Sequence, residues 1–325
     1  MIVPVLLFIL GLVLLIKGGD WFVDGASAIA HRYHVPELII GATIVSIGTT
    51  LPEVLVSATS AVSHHGEIAY GNAIGSIICN TALISAITMA VRPGIVAASE
   101  LILPVIFYFL AAIFYAGNAY LTGYFSRPIG LVLLGIFLIY MILTLRRGFA
   151  SQSAPSKEEV LEKAEEITMS LGKAVALLVI GAALIAVGAN LLVNNGTKIA
   201  AWMGVPESVI ALTFVALGTS LPELVTAVTS LIKGHSALSV GNVIGANLFN
   251  LVLVCGVSVT LSPFSIPTEK LLFGRNASLV LDIPLTFIVM LIMTVPALWK
   301  GKLYRLQGIS LLAIYAAFCA FQFMA

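Results

Sequence analysis

The stretch Gly48–Glu53 reads Gly-Thr-Thr-Leu-Pro-Glu, and Gly218–Glu223 repeats it as Gly-Thr-Ser-Leu-Pro-Glu. Each copy lies in an apolar run long enough to cross a lipid bilayer, where a carboxylate is costly because hydrocarbon holds no water to solvate it. An ionisable side chain at that depth usually faces a partner or a permeating ion. Two matched copies therefore predict two halves of one protein that build one shared cation site. A buried glutamate pair with only a structural role is the less favoured interpretation.

The composition places the chain in a membrane. Of its 325 residues, 60% are hydrophobic and only 10% are charged, whereas roughly a quarter of the residues of a soluble domain are charged. The net charge is +1, and the sequence contains no basic arm, which argues against nucleic acid as a partner. The first apolar run has no basic residue before it, so we expect a membrane helix there rather than a secretory signal.

Apolar stretches of about 20 residues indicate ten membrane spans. They lie near residues 3–30, 36–63, 68–90, 101–117, 128–146, 173–200, 206–232, 238–261, 278–298 and 303–323. One long hydrophilic segment divides them into two groups of five. We therefore expect a first repeat at 1–146, a cytoplasmic linker at 147–171 and a second repeat at 172–325.

The two halves are related in sequence. A shift of 170 residues aligns Val35–Leu83 with Val205–Leu253 without a gap, and 20 of the 49 aligned positions are identical. An odd number of spans in each half means that the second half enters the membrane in the opposite sense. The expected fold is an all-α membrane protein with ten transmembrane helices in two inverted-topology five-helix repeats, an architecture that places substrates at the repeat interface.

Lys and Arg residues in the loops predict the orientation, since cytoplasmic loops are enriched in them. Eleven lie on the side opposite the N-terminus and four on the N-terminal side. We therefore expect a multi-pass protein of the cell (inner) membrane with both termini outside.

The spacing of polar residues predicts an oxygen-lined site. Ser46, Thr50, Glu53 and Ser57 share one helical face, and Pro52 leaves the carbonyl four residues earlier without its usual donor. In the next span Asn72, Ser76 and Asn80 recur every four residues, and the second half repeats the pattern with Thr213, Thr219, Ser220, Glu223, Thr226, Asn242 and Asn250. We expect a broken helix at each proline. Asn72 and Asn242 suit either ion ligation or hydrogen bonding between helices.

The donor types suggest Ca²⁺, which accepts six to eight hard oxygen ligands in loose geometry. Zinc or copper would require His or Cys near the site. Two carboxylates without a cation between them would repel each other. Na⁺ accepts the same oxygens, and competition for one set of ligands is what an antiporter needs.

The paired Gly-Thr-[Thr/Ser]-Leu-Pro-Glu and Gly-Asn-x-Ile-Gly-[Ser/Ala] segments resemble the two alpha-repeats of the sodium/calcium exchanger family, in its compact bacterial form. The resemblance implies exchange of external Na⁺ for internal Ca²⁺ by alternating access. These ions are cargo, no further cofactor is expected, and a monomer would suffice. Carried over by position, the ion ligands implied are Thr49, Thr50, Glu53, Ser76, Asn80, Thr219, Ser220, Glu223 and Asn250.

The chain departs from the family pattern at two places. Ala246 stands where many members have serine, and Asn80 and Asn250 are both neutral where many members carry one aspartate. The stoichiometry is therefore open, and K⁺ co-transport or proton coupling stays open with it.

Other functions fit the sequence less well. Ca²⁺/H⁺ exchange is the main alternative, and a passive cation channel is a more distant one. No His-Glu-x-x-His or Gly-x-Ser-x-Gly motif supports an enzyme. We expect Asp20 and Asp24 to mark an entrance or a helix end rather than ligands, and His65 and His235 to be solvated.

Overall fold

The computed structural model describes residues 2–150, 169–203, 216–268, 271–272 and 274–324. Within these residues it is a bundle of long apolar helices, of which nine are long and apolar enough to cross a membrane. The expected seventh span, 206–232, is described only from residue 216, so Thr213 lies outside the described residues. Most of the expected linker, at 151–168, also lies outside them.

The helices in chain order are α1 (Ile2–Arg32), α2 (Glu37–Val62), α3 (Gly66–Val91), α4 (Ala98–Thr122), α5 (Arg127–Ala150), α6 (Leu171–Trp202), α7 (Leu221–Ile232), α8 (Ser236–Leu261), α9 (Ser278–Lys300) and α10 (Arg305–Met324). A single helical turn, Ala216–Thr219, precedes α7. Four short π-helical segments lie within α2, α3, α8 and α9, at Gly41–Val45, Asn80–Ser85, Asn250–Val254 and Ser278–Asp282.

Glycines let two of the long helices touch through their backbones. A Cβ added to Gly11 of α1 would lie 2.8 Å from the carbonyl oxygen of Gly188 of α6, and one added to Gly188 would lie equally near that of Gly11. Gly18 and Gly181 form a second pair of this kind. Small residues favour such close approach in membrane helices, so α1 and α6 pack as a pair along their length.

Two ends of the bundle are defined by contacts between loops. At one end, here the Lys233 end, the Arg92 side chain donates to the carbonyl of Leu231, and Ile95 pairs with Lys302. At the other, the Phe264 end, the strands β1 (Tyr124–Phe125) and β2 (Phe264–Ser265) pair antiparallel, and Gly66 packs against Phe264. Two further two-residue strands, β3 (Leu271–Leu272) and β4 (Arg275–Asn276), form a small hairpin.

The buried core lies around α3, α4, α8 and α9, and it contains Tyr108, Tyr115, Phe249 and Met290. Many side chains on the outer faces of the bundle are apolar yet exposed, such as Ile9 of α1 and Ile113 of α4. Exposed apolar faces on helices of this length suit contact with lipid. The structure is therefore an all-helical membrane protein, apart from its two-residue strands.

Candidate cation-binding site

The two copies of the Leu-Pro-Glu motif lie at the centre of the bundle. Glu53 of α2 and Glu223 of α7 are each fully buried, and Thr50, three residues before Glu53 on α2, lies 3.5 Å from the carboxylate of Glu223. Thr49, Thr50, Ser76, Asn80, Ser220 and Asn250 are buried as well. Of the nine candidate ligands, only Thr219 is half-buried.

Two crossed hydrogen bonds join the halves at this site. Thr49 donates to Oδ1 of Asn242 at 3.1 Å, and Thr219 donates to Oδ1 of Asn72 at 3.2 Å. The two hydrogen bonds are equivalent, because Thr219 lies 170 positions after Thr49 and Asn242 lies 170 positions after Asn72. The two asparagines therefore hydrogen-bond between helices, which is one of the two roles expected for them.

Asn72 also links the site to the neighbouring turn of α2. Its amide nitrogen donates to the backbone carbonyl of Glu53 at 3.2 Å and to Oγ of Ser57 at 2.8 Å. In the second half, the backbone carbonyl of Asn242 accepts a hydrogen bond from Ser46 at 3.0 Å. Because both asparagines are engaged in this way, they position the helices that carry the glutamates.

The remaining hydroxyls make longer contacts. Thr50 Oγ1 lies 3.5 Å from Oε1 of Glu223, and Ser220 Oγ lies 3.5 Å from Oγ of Ser76. An O–H···O hydrogen bond is normally 2.5–3.0 Å long, so these oxygens are weakly held. A cation could take them as ligands at little cost.

Several buried polar atoms have no hydrogen-bond partner among the described residues. They include both carboxylate oxygens of Glu53, Oε2 of Glu223, and both amide atoms of Asn80 and of Asn250. A buried polar group without a partner costs about 1–3 kcal/mol, and a charged one costs more. A cation bound between the carboxylates would give these oxygens the partner that they lack.

Asn80 and Asn250 occupy matching places in the backbone. Each begins a π-helical segment, at Asn80–Ser85 and Asn250–Val254. Single π-helical turns within α-helices are frequent at functional sites. Asn80 also lies one turn along α3 from Ser76, so its side chain extends the oxygen-lined face.

The two prolines act differently in the two halves. Pro52 lies inside a continuous helix, Ser46–Val62, and the expected break at this position is therefore wrong. In the second half the helix is interrupted at Ser220, and Pro222 lies in the first turn of α7. Glu223 thus lies at a helix N-terminus, where free backbone N–H groups stabilise a negative charge.

The halves also differ in exposure. Gly241 and Asn242 are buried, and a Cβ on Gly241 would overlap the carbonyl of Leu38. Their equivalents in the first half are more open, since Gly71 is exposed and Asn72 is half-buried. Packing between α2 and α8 therefore closes one side of the candidate site, whereas residues 208–211, the equivalents of Leu38–Gly41, lie outside the described residues.

The chemistry of the donors suits a hard cation. Among the described residues, no three His, Cys, Asp or Glu side chains come together as a metal cluster. The candidate site offers two carboxylates with hydroxyl and amide oxygens around them, the ligand types that Ca²⁺ takes.

Charged residues at the Lys233 end form a second network. Lys233 pairs with Asp24 at 2.8 Å and with Asp20 at 3.5 Å, in keeping with a helix-end role for the two aspartates. His235 contacts Glu37 through Nδ1 at 2.6 Å and is half-buried. The expectation that His235 is solvated is therefore wrong. The hydrogen bond with Glu37 raises the pKa of His235 above its ordinary value, against the opposing effect of partial burial.

A buried, oxygen-lined site between two matched helix pairs, in a bundle of membrane-length helices, defines a membrane transporter of metal cations. Comparison with known proteins agrees with this class. The sequence model of the family described as "Sodium/calcium exchanger protein" matches residues 3–146 and 173–324. The chain belongs to the sodium/calcium exchanger family, a family of transporters rather than enzymes, and is an antiporter of Ca²⁺ and a second cation.

Individual relatives cover nearly the whole chain. Inner membrane protein YrbG of Escherichia coli is 34% identical over 88% of this chain and 88% of its own length. Sodium/calcium exchanger MaX1 of Methanosarcina acetivorans is 29% identical over 96% of both chains. A structure of the sodium-calcium exchanger NCX_Mj superposes with a TM-score of 0.80 at 32% identity and covers 98% of each chain. The resemblance drawn from the paired motifs is confirmed.

Proposed function

We propose that the protein exchanges Na⁺ for Ca²⁺ across the cell membrane by alternating access. One observation carries this proposal. Glu53 and Glu223, one from each half, are fully buried, and three of their four carboxylate oxygens lack a partner among the described residues. Two negative charges in such a place call for compensating positive charge, which one Ca²⁺ or two Na⁺ would supply.

The proposed ligand set follows the contacts around the two carboxylates. Glu53 and Glu223 hold Ca²⁺ between them, and the surrounding hydroxyl and amide oxygens complete the sites for both ions. The full set is Thr49, Thr50, Glu53, Ser76, Asn80, Thr219, Ser220, Glu223 and Asn250. Because the two ions need the same oxygens, they occupy the site in turn, which couples their movements. Relatives named as sodium/calcium exchangers support Na⁺ as the coupling ion.

The repeats at 1–146 and 172–325, joined by the linker at 147–171, enter the membrane in opposite senses in this proposal. Two contacts support the inversion. The turn between α2 and α3 lies at the Phe264 end, where Gly66 meets Phe264. Its equivalent between α7 and α8 lies at the Lys233 end, where His235 meets Glu37. Equivalent turns at opposite ends are what an inverted repeat requires.

In the proposed orientation the Lys233 end faces the cytoplasm and both termini lie outside. The distribution of Lys and Arg supports it, because Arg92, Lys300 and Lys302 lie at or beside that end. The relative YrbG is named as an inner membrane protein, which supports the cell membrane as the location.

Ca²⁺ flux into proteoliposomes under imposed Na⁺, K⁺ and proton gradients in turn tests the proposal. We expect an outward Na⁺ gradient alone to drive Ca²⁺ uptake. Uptake driven only by a proton gradient would replace Na⁺ coupling by Ca²⁺/H⁺ exchange. Uptake that needs no counter-ion on the far side would indicate a passive channel instead.

A further inference from the structure

Gly19 of α1 packs tightly against α7 between the candidate site and the Lys233 end. A Cβ added to Gly19 would lie 2.6 Å from Cγ1 of Val225 and 2.9 Å from Oγ1 of Thr229. Both of these residues follow Glu223 on α7 and precede Lys233. A contact that has no room for a methyl group has none for a hydrated cation, so α1 closes this face of α7.

α1 also lies against the candidate site itself. Phe22 lines a small cavity together with Thr49, Pro52 and Pro222 of the two motifs, and Ile185 of α6 lies on the same cavity. The pair formed by α1 and α6 therefore borders the motifs, and α1 contacts α7 from there towards the Lys233 end.

Opposite charges hold this interface together at its outer end. The ammonium of Lys233, which directly follows α7, lies 2.8 Å from Oδ1 of Asp24 and 3.5 Å from Oδ1 of Asp20. It also donates to the backbone carbonyl of Asp20 at 3.0 Å. Further along α1, Oγ of Ser27 lies 3.3 Å from Nδ1 of His235. The turn between α7 and α8 is therefore bound to α1 chiefly through Lys233.

The equivalent residues in the other half are uncharged. With the shift of 170 residues, Asp20 and Asp24 correspond to Asn190 and Asn194 of α6, and Lys233 corresponds to Ser63 after α2. Asn194 donates to Asn190 at 2.9 Å along the same helix, and Ser63 is exposed. These three neutral side chains cannot form an ion pair, so the charged contact belongs to one end of the bundle.

We propose that Lys233, with Asp20 and Asp24, forms an ionic clasp that holds α1 against α7 and favours the state closed at the Lys233 end. The inference rests on the proposed alternating access, in which two states of similar packing are each closed at one end. For ions to reach Glu223 along α7 from the Lys233 end, α1 and α7 must separate, and the clasp opens once in each cycle. Because the ion pairs are partly exposed, their loss should shift the equilibrium between the two states by about two- to fivefold.

The first test measures how often α1 and α7 separate. The reporter is Thr229→Cys, because this side chain faces Gly19 across the interface. It is placed in full-length protein that lacks its three native cysteines, through the substitutions Cys79→Ala, Cys255→Ala and Cys319→Ala. The rate of labelling by a water-soluble maleimide is measured in detergent, where both ends of the bundle are accessible, and the melting temperature of each variant is recorded.

Two sets of substitutions remove the clasp from opposite sides. They are Lys233→Ser and the pair Asp20→Asn with Asp24→Asn, each of which introduces the residue found at the equivalent position of the other half. We expect each set to speed labelling by about two- to fivefold. The combination should be no faster than either set alone, because both remove the same ion pairs. Lys233→Arg keeps the charge, Lys173→Ser removes an exposed charge from α6, and both should label at the rate of the parent. An unchanged rate in both sets, or increases that multiply in the combination, would overturn the clasp.

The second test asks whether the clasp must open during transport. Asp24→Cys and Lys233→Cys are introduced together into the protein without native cysteines and joined in proteoliposomes by a short bis-methanethiosulfonate reagent, with the monofunctional reagent as control. We expect the bridge to stop Na⁺-driven Ca²⁺ uptake and a reductant to restore it. Full uptake by completely bridged protein would overturn the inference and leave the proposed function standing. Absence of Na⁺-driven uptake in the wild type would overturn the proposed function itself.

Discussion

The hydroxyl of Thr50 lies 3.5 Å from Oε1 of Glu223, so a side chain of the first motif lies beside the carboxylate of the second. The two residues are separated by 173 positions in the chain. The contact therefore brings oxygen atoms from the two matched segments into one cluster.

Replacing either carboxylate should abolish transport. In Glu53→Gln or Glu223→Gln, Ca²⁺ loses one of the two charges that balance it. Removing one partner from a buried pair of charges costs about 3–5 kcal/mol, so we expect uptake to fall by on the order of 100-fold or more. Thermal stability without Ca²⁺ should not fall, because the substitution relieves repulsion between the two carboxylates. Glu67→Gln, at an exposed position of α3, is the matched control. Uptake near wild type in either site variant, with normal expression, would refute the assignment.

Restoring the missing hydroxyl should change Na⁺ binding selectively. In Ala246→Ser the second half regains the residue that Ser76 provides in the first, and we expect a higher affinity for Na⁺ with a smaller change for Ca²⁺. Uptake rates measured against each ion give the two affinities. Ala227→Ser is the control. Like Ala246, Ala227 is fully buried and has a serine, Ser57, at the equivalent position in the first half. Equal shifts for both ions in Ala246→Ser would contradict the role assigned to this position.

Two glycines at equivalent positions should respond differently to the same substitution. A Cβ on Gly241 would overlap the carbonyl of Leu38, whereas one on Gly71 would meet no described heavy atom within 4 Å. Overpacking a tight contact typically costs about 1–3 kcal/mol. We therefore expect Gly241→Ala to lower the melting temperature in detergent and Gly71→Ala to leave it nearly unchanged. Similar melting temperatures for the two variants would contradict the asymmetric packing of α2 against α8.

The contact between His235 and Glu37 should make stability depend on pH. The hydrogen bond with Glu37 raises the pKa of His235 above its ordinary value of 6.5. Ser27 and Asp24 of α1 and the neighbouring Lys233 also face His235. A group whose pKa is raised by folding stabilises the protein below its unfolded pKa, and this stabilisation is lost as the pH rises through the folded value.

The corresponding experiment compares melting temperatures from pH 6 to pH 9. We expect His235→Gln to be less stable than wild type near pH 6, by about 1 kcal/mol or less because the pair is partly exposed to solvent. The difference should vanish as the pH rises. His65→Gln, at the exposed equivalent position, should match wild type throughout. A constant difference for His235→Gln across this range would exclude titration of His235 as its cause.

The sequence predicted the parts of the site that depend on local spacing. Apolar run length marked the spans, and the helical repeat predicted that Ser46, Thr50, Glu53 and Ser57 share one face of α2, where all four are buried. The recurrence of the motif after 170 residues, with Ser220 in place of Thr50, predicted that the two copies lie side by side, as the contact of Thr50 with Glu223 shows. These features could be predicted because each depends on the sequence of one short segment or on the similarity between two segments.

The differences between the halves could not be predicted in this way. Gly71 and Gly241 are the same residue in the same motif, yet one is exposed and the other buried. The helix continues through Pro52 but is interrupted before Pro222. A repeated sequence predicts equal halves, and the observed differences depend on tertiary packing that the repeat does not encode. The pairing of His235 with Glu37, 198 residues apart, depends on tertiary packing that no local pattern reports.

The crossed threonine–asparagine bonds make the two halves of the chain depend on each other. Each asparagine accepts its hydrogen bond from a threonine of the opposite half. A fragment with one half alone would therefore leave its threonine and its asparagine without these hydrogen bonds. Two separate half-length chains could satisfy them only by associating with each other, in the opposite orientations that the proposed inverted repeat requires. A single chain that carries both halves keeps these partners together, and its halves can differ at equivalent positions, as Ser76 and Ala246 do.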